Sequence, residues 1–373
     1  MIEILFWSAA AIAAYVYAGF FAIVTAWARL FPRPARKAAI EPRVSLLVAA
    51  YNEAGVIEAK IHNALALDYP AERLEIVIAS DGSTDETAEA ARRLADGHRV
   101  RVLDYPHNRG KLAVLNDSIP QLRGEIVAFS DATSMLAPDA LRLLVRSFAD
   151  PQVGAAGALY QVRQAHQAHI GEQEDFYWKY ETFLKLQEAS LGSILGAHGS
   201  LYAVRKELYP YPAPGTINDD YVIPLRILHR GYRVAYEPAA VAYEEAREME
   251  GFSRRVRIWT GNFKQLREIG ALLWPLRLRE LFFFLSHKAG RVLVPFCMVV
   301  MAVTNLLLLS QPFYAVLAVA QGAFYVLALL GAVWRLRPKI LRLPYYFTMI
   351  NAAAFFGMYH AAIARRQLNW KTK

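Results

Sequence analysis

The sequence predicts an α/β fold with a mostly parallel sheet, joined at both ends to apolar segments long enough to cross a membrane. Between Arg43 and about Val153, short apolar runs alternate with amphipathic stretches, the pattern of βαβ units. Outside that region, one apolar run near the start and three toward the end each approach the ~20 residues a spanning helix needs. With 55% of its 373 residues hydrophobic, the chain is too apolar for disorder and can build a large core. Its net charge of +9 comes partly from Lys and Arg beside the apolar runs, where such residues set topology and meet anionic lipid. Nothing resembles a nucleic-acid module, and no nucleic-acid partner is expected. The one cysteine, Cys297, lies within an apolar run; it excludes an intrachain disulfide and reads as a small buried hydrophobe.

The elements follow in order. Ile4–Phe31 carries no charge until Arg29 and exceeds the ~7–15 apolar residues of a signal peptide, so an uncleaved anchor over 1–31 is expected. The run VSLLVAAY predicts the first strand, and Val56, Ile57, Ile61 and Leu65 recur at helical spacing after it. LEIVIAS, RVRVL and EIVAFS predict further strands with helices between them. After Asp81, Ser83 and Glu86 form a capping-box pattern for a helix that stops near Gly97, and Asp85 reads as a first-turn acid favoured by the helix dipole. Pro138-Asp139 opens another helix. Toward the end, Val292–Ser310, Pro312–Trp334 and Tyr345–Ala364 are candidate spans within a region of about three hydrophobic segments over 291–373. Residues 251–290 are expected as amphipathic interfacial helices. Arg29, Arg33, Arg36 and Lys37 follow the first span, and Arg335, Arg337, Lys339 and Arg342 follow the third. The positive-inside rule then places the intervening domain in the cytoplasm. Four simple spans would put the basic tail RRQLNWKTK outside, so one segment is expected to be interfacial or re-entrant.

In parallel sheets, ligands collect at the carboxyl ends of the strands. That rule selects Tyr51-Asn52-Glu53, Asp81-Gly82-Ser83 and Asp131. Each alone reads as a turn or a cap; together they suggest a polar pocket for a sugar ring, a ribose or a metal. Arg109 and Lys111 flank Gly110 at a helix start, whose free amides also favour an anion. Asn218-Asp219-Asp220 reads equally as a capped helix start and as a carboxylate base able to take a proton from a hydroxyl.

The stretches AAYNEAGVIEAKIHNAL, EIVIASDGSTDET, NRGKLAVLN and AFSDATSML, followed by GAHGSLYAVRKELY and NDDYVIPLRILHRGYRVAYEP, resemble the family 2 glycosyltransferases, in the membrane-embedded polysaccharide-synthase-like branch. The resemblance covers most of the chain. It implies an A-type glycosyltransferase (nucleotide-diphospho-sugar transferase) domain over 40–250 that inverts the anomeric carbon of a nucleotide-diphosphate sugar, usually a UDP-sugar. It implies nucleotide contacts for Glu53 and Asp81, with Ser83 beside them, and places Lys111 near the phosphates. Asp131 matches the first aspartate of a metal-binding Asp-x-Asp element, for Mg or Mn. Thr133 stands at the third position, where a neutral hydroxyl is a poorer ligand for a hard cation, leaving Asp131 as the direct protein ligand. Asp220 falls at the catalytic-base position, and Asp219 stands where many members have Glu. His198 lies in a stretch that walls the acceptor site, where it could touch acceptor or donor or simply pack. GFSRRVRIWTGNFKQL occupies the place of Gln-x-x-Arg-Trp in processive synthases: Arg254 replaces Gln, Arg257 matches Arg, and Ile258 replaces Trp with Trp259 one position later. Arg257 is thereby implied as a diphosphate clamp, and processivity is left open.

The expected protein is an integral inner-membrane glycosyltransferase whose cytoplasmic domain moves a hexosyl or N-acetylhexosaminyl group from a nucleotide-sugar donor to a polysaccharide acceptor. Membrane lipids are further partners, and protein partners are unspecified. Two rival readings stand beside it: addition of a single sugar to a lipid or lipid-linked acceptor, and a non-catalytic membrane sensor or transporter.

Overall fold

The computed structural model describes residues 1–163, 171–213, 216, 218–245, 252–253, 255–263, 277–334 and 339–363. The chain divides into two compact units. One carries the sheet and spans 28–171 and 178–246; the other is helical and comprises 1–27, 172–177 and 247–365.

The sheet unit begins with β1 (Val44–Ala50), α2 (Ala54–Leu65), β2 (Leu74–Asp81), α3 (Thr87–Arg93), β3 (Val100–Tyr105), α4 (Lys111–Ser118) and β4 (Ile126–Phe129), where α1 denotes the earlier helix Ile2–Leu30. It continues with β5 (Met135–Leu136), α5 (Ala140–Val145), β6 (Val153–Arg163), α6 (Gly171–Ser190), β7 (Tyr202–Arg205), α7 (Asp219–His229) and β8 (Arg233–Glu245). The strand order is β3-β2-β1-β4-β7-β6-β8-β5. The pairs β1/β2, β1/β4, β2/β3 and β6/β8 are parallel, whereas β7 runs antiparallel to β4 and β6, and β5 antiparallel to β8. Every residue of β1 and β2 is buried, as expected for parallel strands covered on both faces. That burial explains why their sequences are continuous apolar runs and not alternating ones.

Two local expectations are corrected. Ser83 and Glu86 do not form a capping box: α3 starts at Thr87, Glu86 occupies its N-cap without a side-chain cap bond, and the Ser83 hydroxyl instead accepts the Asn52 N–H at 3.2 Å. Asp85 precedes the helix, outside its first turn, and its carboxylate accepts from Thr87 N at 3.0 Å and Ala54 N at 3.2 Å. Burial alone would raise the Asp85 carboxyl, but hydrogen bonds from Thr87 and Ala54 bring it below the ordinary range.

The helical unit contains most of α1, together with α8 (Leu278–Leu307), α9 (Pro312–Val333) and α10 (Lys339–Ile363). Among the described residues, α1, α8 and α9 are long and apolar enough to cross a membrane. The helix containing the second expected span already begins at Leu278, so 278–290, expected as interfacial, forms its first part. The last segment is helical, but Tyr345, Tyr346, Asn351 and His360 dilute its apolar character and it is not a third candidate span of the C-terminal region. Gly290 lets α8 pack closely on α1, because a Cβ there would meet Val16 Cγ2 at 2.8 Å. Phe20, fully buried on α1, packs against Phe282, Phe283 and His287 of α8. The basic tail RRQLNWKTK lies outside the described residues.

Candidate active site

Four chain segments meet at one edge of the sheet because of strand direction. β4 ends there, and its antiparallel neighbour β7 starts there, with Phe129 opposite Tyr202. Their rings stack at 4.7 Å. The turn after β4 therefore carries Asp131 to the place where His198-Gly199-Ser200 enters β7. The N-termini of α4 and α7 add Lys111 and the Asp219-Asp220 pair.

Lys111 joins these segments. Its Nζ lies 2.8 Å from Asp131 Oδ1 and 3.2 Å from Asp219 Oδ1. Burial would lower its pKa, but Asp131 and Asp219 more than reverse this and hold it well above the usual lysine value, as an ammonium. Asp219 also accepts a hydrogen bond at 2.9 Å from the hydroxyl of Tyr202, a fully buried side chain. Asp220 accepts the Gly199 N–H at 2.8 Å, and its own carbonyl accepts the Ala197 N–H at 2.9 Å. Burial, then the charges of Asp219 and Asp131, push the Asp220 carboxyl up to about 6 against the pull of Lys111 and Lys185. A carboxylate so placed is basic enough to take a proton near neutrality.

Gly199 serves twice. Its amide holds Asp220, and a Cβ on it would approach Asp131 Oδ2 to 3.0 Å. His198 stacks on Tyr160 at 4.0 Å, with Nδ1 3.0 Å from Ser200 Oγ. Tyr160 in turn donates to Glu244 Oε2 at 2.7 Å, and Thr133 donates to Glu244 Oε1 at 3.2 Å. The hydroxyl that stands in place of a second aspartate is thus directed at a carboxylate brought in by β8.

Asp131 has a side chain 41% exposed, and a carboxylate presented in this way suits a small hard cation that takes its other ligands from phosphate oxygens and water. Among the described residues, no group of three or more His, Cys, Asp or Glu surrounds such a position. Asp131 is thus the one carboxylate of this turn open to a hard cation, and such a cation would need its remaining ligands from outside the described side chains.

Glu53, Asp81 and Ser83 lie at the ends of β1 and β2 and form a second cluster. Asn52 adopts φ 53°, a left-handed conformation that Asn tolerates, and its Oδ1 accepts the Thr84 N–H at 2.8 Å. Glu53, 9% exposed, stands at the N-cap of α2, and its backbone N–H donates to Thr87 Oγ1 at 2.7 Å. Asp81 is fully buried, and its two oxygens accept the N–H groups of Arg109 and Gly110, each at 2.8 Å. Gly82 makes room for that loop: at φ 63°, a Cβ would strike Asn108 N at 2.4 Å. Asp81 therefore fixes the turn from which Lys111 projects. Arg257 belongs to the helical unit, within the helical residues 255–263, and Arg254 lies outside the described residues.

One residue missed in the sequence is Lys60. It falls on the buried face of α2 with Ile57, Ile61 and Ala64, and its Nζ donates to Ser130 Oγ at 2.7 Å and to the Ser134 carbonyl, bracketing Asp131. A lysine inside an apolar helical stripe was the available signal.

The family model described as "Glycosyltransferase like family 2" matches residues 42–265. The poly-beta-1,6-N-acetyl-D-glucosamine synthase of Staphylococcus aureus (strain MSSA476) is 29% identical over 229 residues, which cover 60% of this chain and 55% of that protein. The synthase of the same name from Staphylococcus epidermidis is 28% identical over the same shares. The match thus spans about half the length of these curated relatives. Among solved structures, the mannosyltransferase PcManGT from Pyrobaculum calidifontis in complex with GDP-Man and Mn2+ covers 98% of this chain and 100% of its own, at 24% identity and a TM-score of 0.78. That likeness is one of fold.

Proposed function

Because the chain belongs to glycosyltransferase-like family 2 and has the A-type fold, we propose that it is an inverting transferase that moves a sugar from a nucleotide-diphosphate donor, a UDP-sugar, to a growing polysaccharide at the cytoplasmic face of a membrane. It is a glycosyltransferase with helices able to span a membrane. The relatives named as polysaccharide synthases support the acceptor class, and the basic residues beside the apolar runs support the orientation.

The observation that carries this reading is the Lys111 bridge between Asp131 and Asp219, with Asp220 beside it at a pKa of about 6. In the proposed reaction, Asp220 accepts the proton of an acceptor hydroxyl while that oxygen attacks the anomeric carbon. The bond from the anomeric carbon to the diphosphate oxygen breaks, and the nucleoside diphosphate leaves with the electron pair. Lys111 neutralises part of the developing negative charge, and the Gly199 amide keeps Asp220 oriented. Asp131 would hold a divalent cation, Mg2+ or Mn2+, which when bound would supply further positive charge for the leaving group. Glu53 and the end of β2 offer the nucleotide side of the pocket, and His198 lies on the acceptor side.

Asp220→Asn keeps the size and removes the base. We expect a ~10^2–10^4-fold loss of transfer, the usual worth of a general base, with nucleotide binding nearly intact. Transfer and UDP affinity measured on the purified full chain check this; full activity in the variant would eliminate Asp220 as the base.

A further inference from the structure

Lys60 is fully buried beneath the Asp131 turn and makes no approach to solvent. Its ammonium donates to Ser130 Oγ at 2.7 Å and to the Ser134 carbonyl, the two ends of the turn whose Ser134 N–H is held by the Asp131 carbonyl at 3.1 Å. The Ser130 hydroxyl in turn donates a hydrogen bond to the Ser200 carbonyl at 2.6 Å. Ser200 follows Gly199, the residue whose amide holds Asp220. One buried cation thus fastens the turn that carries Asp131 and, through Ser130, the turn that holds the base.

We infer that Lys60 is a positioning residue for transfer: it sets Asp131 for the donor diphosphate and couples that turn to the Gly199 amide through Ser130 and Ser200. An ammonium buried so completely is costly unless a charge and several acceptors face it. Here the acceptors are Ser130 and Ser134, and the charge is that of Asp131. Burial lowers Lys60 to about 7 while the charge of Asp131 pulls it upward. An apolar residue in its place would leave the Ser134 carbonyl and the Ser130 hydroxyl without their donor, and the turn free to relax. Lys111 approaches the same carboxylate from the other side, at 2.8 Å, so Asp131 is steadied from the interior by one lysine and meets the substrate beside another.

The inference rests on the proposed role of Asp131 in holding the diphosphate, and the test separates the two. On the purified full chain, UDP binding in the presence of Mn2+ is measured by calorimetry, with thermal unfolding and the donor KM and kcat followed alongside. Asp131→Asn is the reference; if it leaves UDP affinity unchanged, the role of Asp131 fails and the inference with it. With that reference lost as expected, Lys60→Met should weaken UDP binding ~10-fold, in the range found for residues that support metal ligands, and raise the donor KM more than it lowers kcat. Ser130→Ala should give a smaller loss of about threefold, and the double variant should bind no more weakly than Lys60→Met alone, since both act through one chain of contacts. Wild-type UDP affinity in a folded Lys60→Met, or additive losses in the double variant, would overturn the positioning role. If Lys60→Met does not fold, Ser130→Ala decides: weakened UDP binding at an unchanged melting temperature supports the inference, and unchanged binding sinks it.

Discussion

Asp81 and Asp131 look alike in the sequence: each follows a continuous apolar run, Asp81 as the last residue of β2 and Asp131 two residues past β4, at the same edge of the sheet. In the fold they occupy opposite circumstances. Asp81 is sealed, with both oxygens accepting backbone N–H groups from the Arg109–Gly110 turn. Asp131 keeps a half-exposed carboxylate that meets Lys111. The difference comes from what returns over each strand end. The turn after β3 comes back over the end of β2 and closes on its carboxylate; past β4 the chain meets Gly199, which has no side chain to cover Asp131. The same residue at the same kind of position is a fastener of its loop in one case and an accessible carboxylate in the other.

That contrast is broken most directly by exchanging charge for amide at each position. Asp131→Asn should weaken UDP binding with Mn2+ by at least ~10-fold, the loss of a charge-assisted contact, while the melting temperature stays near wild type. Asp81→Asn should cost stability instead, lowering unfolding free energy by about 1–3 kcal/mol because the amides of Arg109 and Gly110 lose a charged acceptor. Denaturant melts and calorimetry on both variants read the pair; equal melting temperatures would show that Asp81 is not the fastener described.

A pH series sharpens the catalytic side. The transfer kcat/KM should fall below pH of about 6, where Asp220 takes up a proton and can no longer accept one from the acceptor. Stability runs the other way for this group. Its folded pKa is raised, so the folded chain binds that proton more tightly than the unfolded one, and the contribution favours folding at low pH and is lost as pH rises through about 6. Asp219→Asn removes a like charge and should move the acid limb of kcat/KM downward; an unmoved limb would show that burial alone sets it.

The smallest expected effect is that of Tyr202→Phe. It takes one hydrogen bond from Asp219 and should cost about 1–3 kcal/mol of stability, with a modest fall in transfer. A fall as large as that of Asp220→Asn would mean that Tyr202 does more than orient Asp219.

Much of this was legible before any coordinates. The alternation of apolar runs placed β1 to β4 and the helices between them, and the strand-end rule selected Asp81 and Asp131. The rest depends on contacts between distant segments. Ser83 and Glu86 have the letters of a capping box, yet Ser83 is claimed by Asn52 at the end of the neighbouring strand. Asp81 could not be told from Asp131 because the loop that covers it arrives from residues 109–110. Lys60 was hidden by its own pattern: at helical spacing from Ile57 and Ala64 it reads as an interruption of the apolar face, and only the turn at 130–134 gives it acceptors.

The strand order also bears on how the chain acquires its shape in time. β2 pairs with β1 and β3 over separations of 30 and 24 residues (Val44 opposite Leu74, Ile76 opposite Val100), while β1 finds β4 and β6 finds β8 only over about 80 (Val44 opposite Ile126, Val153 opposite Arg233). Local pairings form faster than distant ones. Pulse-labelled hydrogen exchange during refolding of the full chain should therefore protect β1 and β2 before α7. The scaffold beneath Asp81 and Lys111 is then laid down early, and Asp219 and Asp220 are docked onto it last, so a partly folded chain carries the strand ends before the carboxylate pair reaches them.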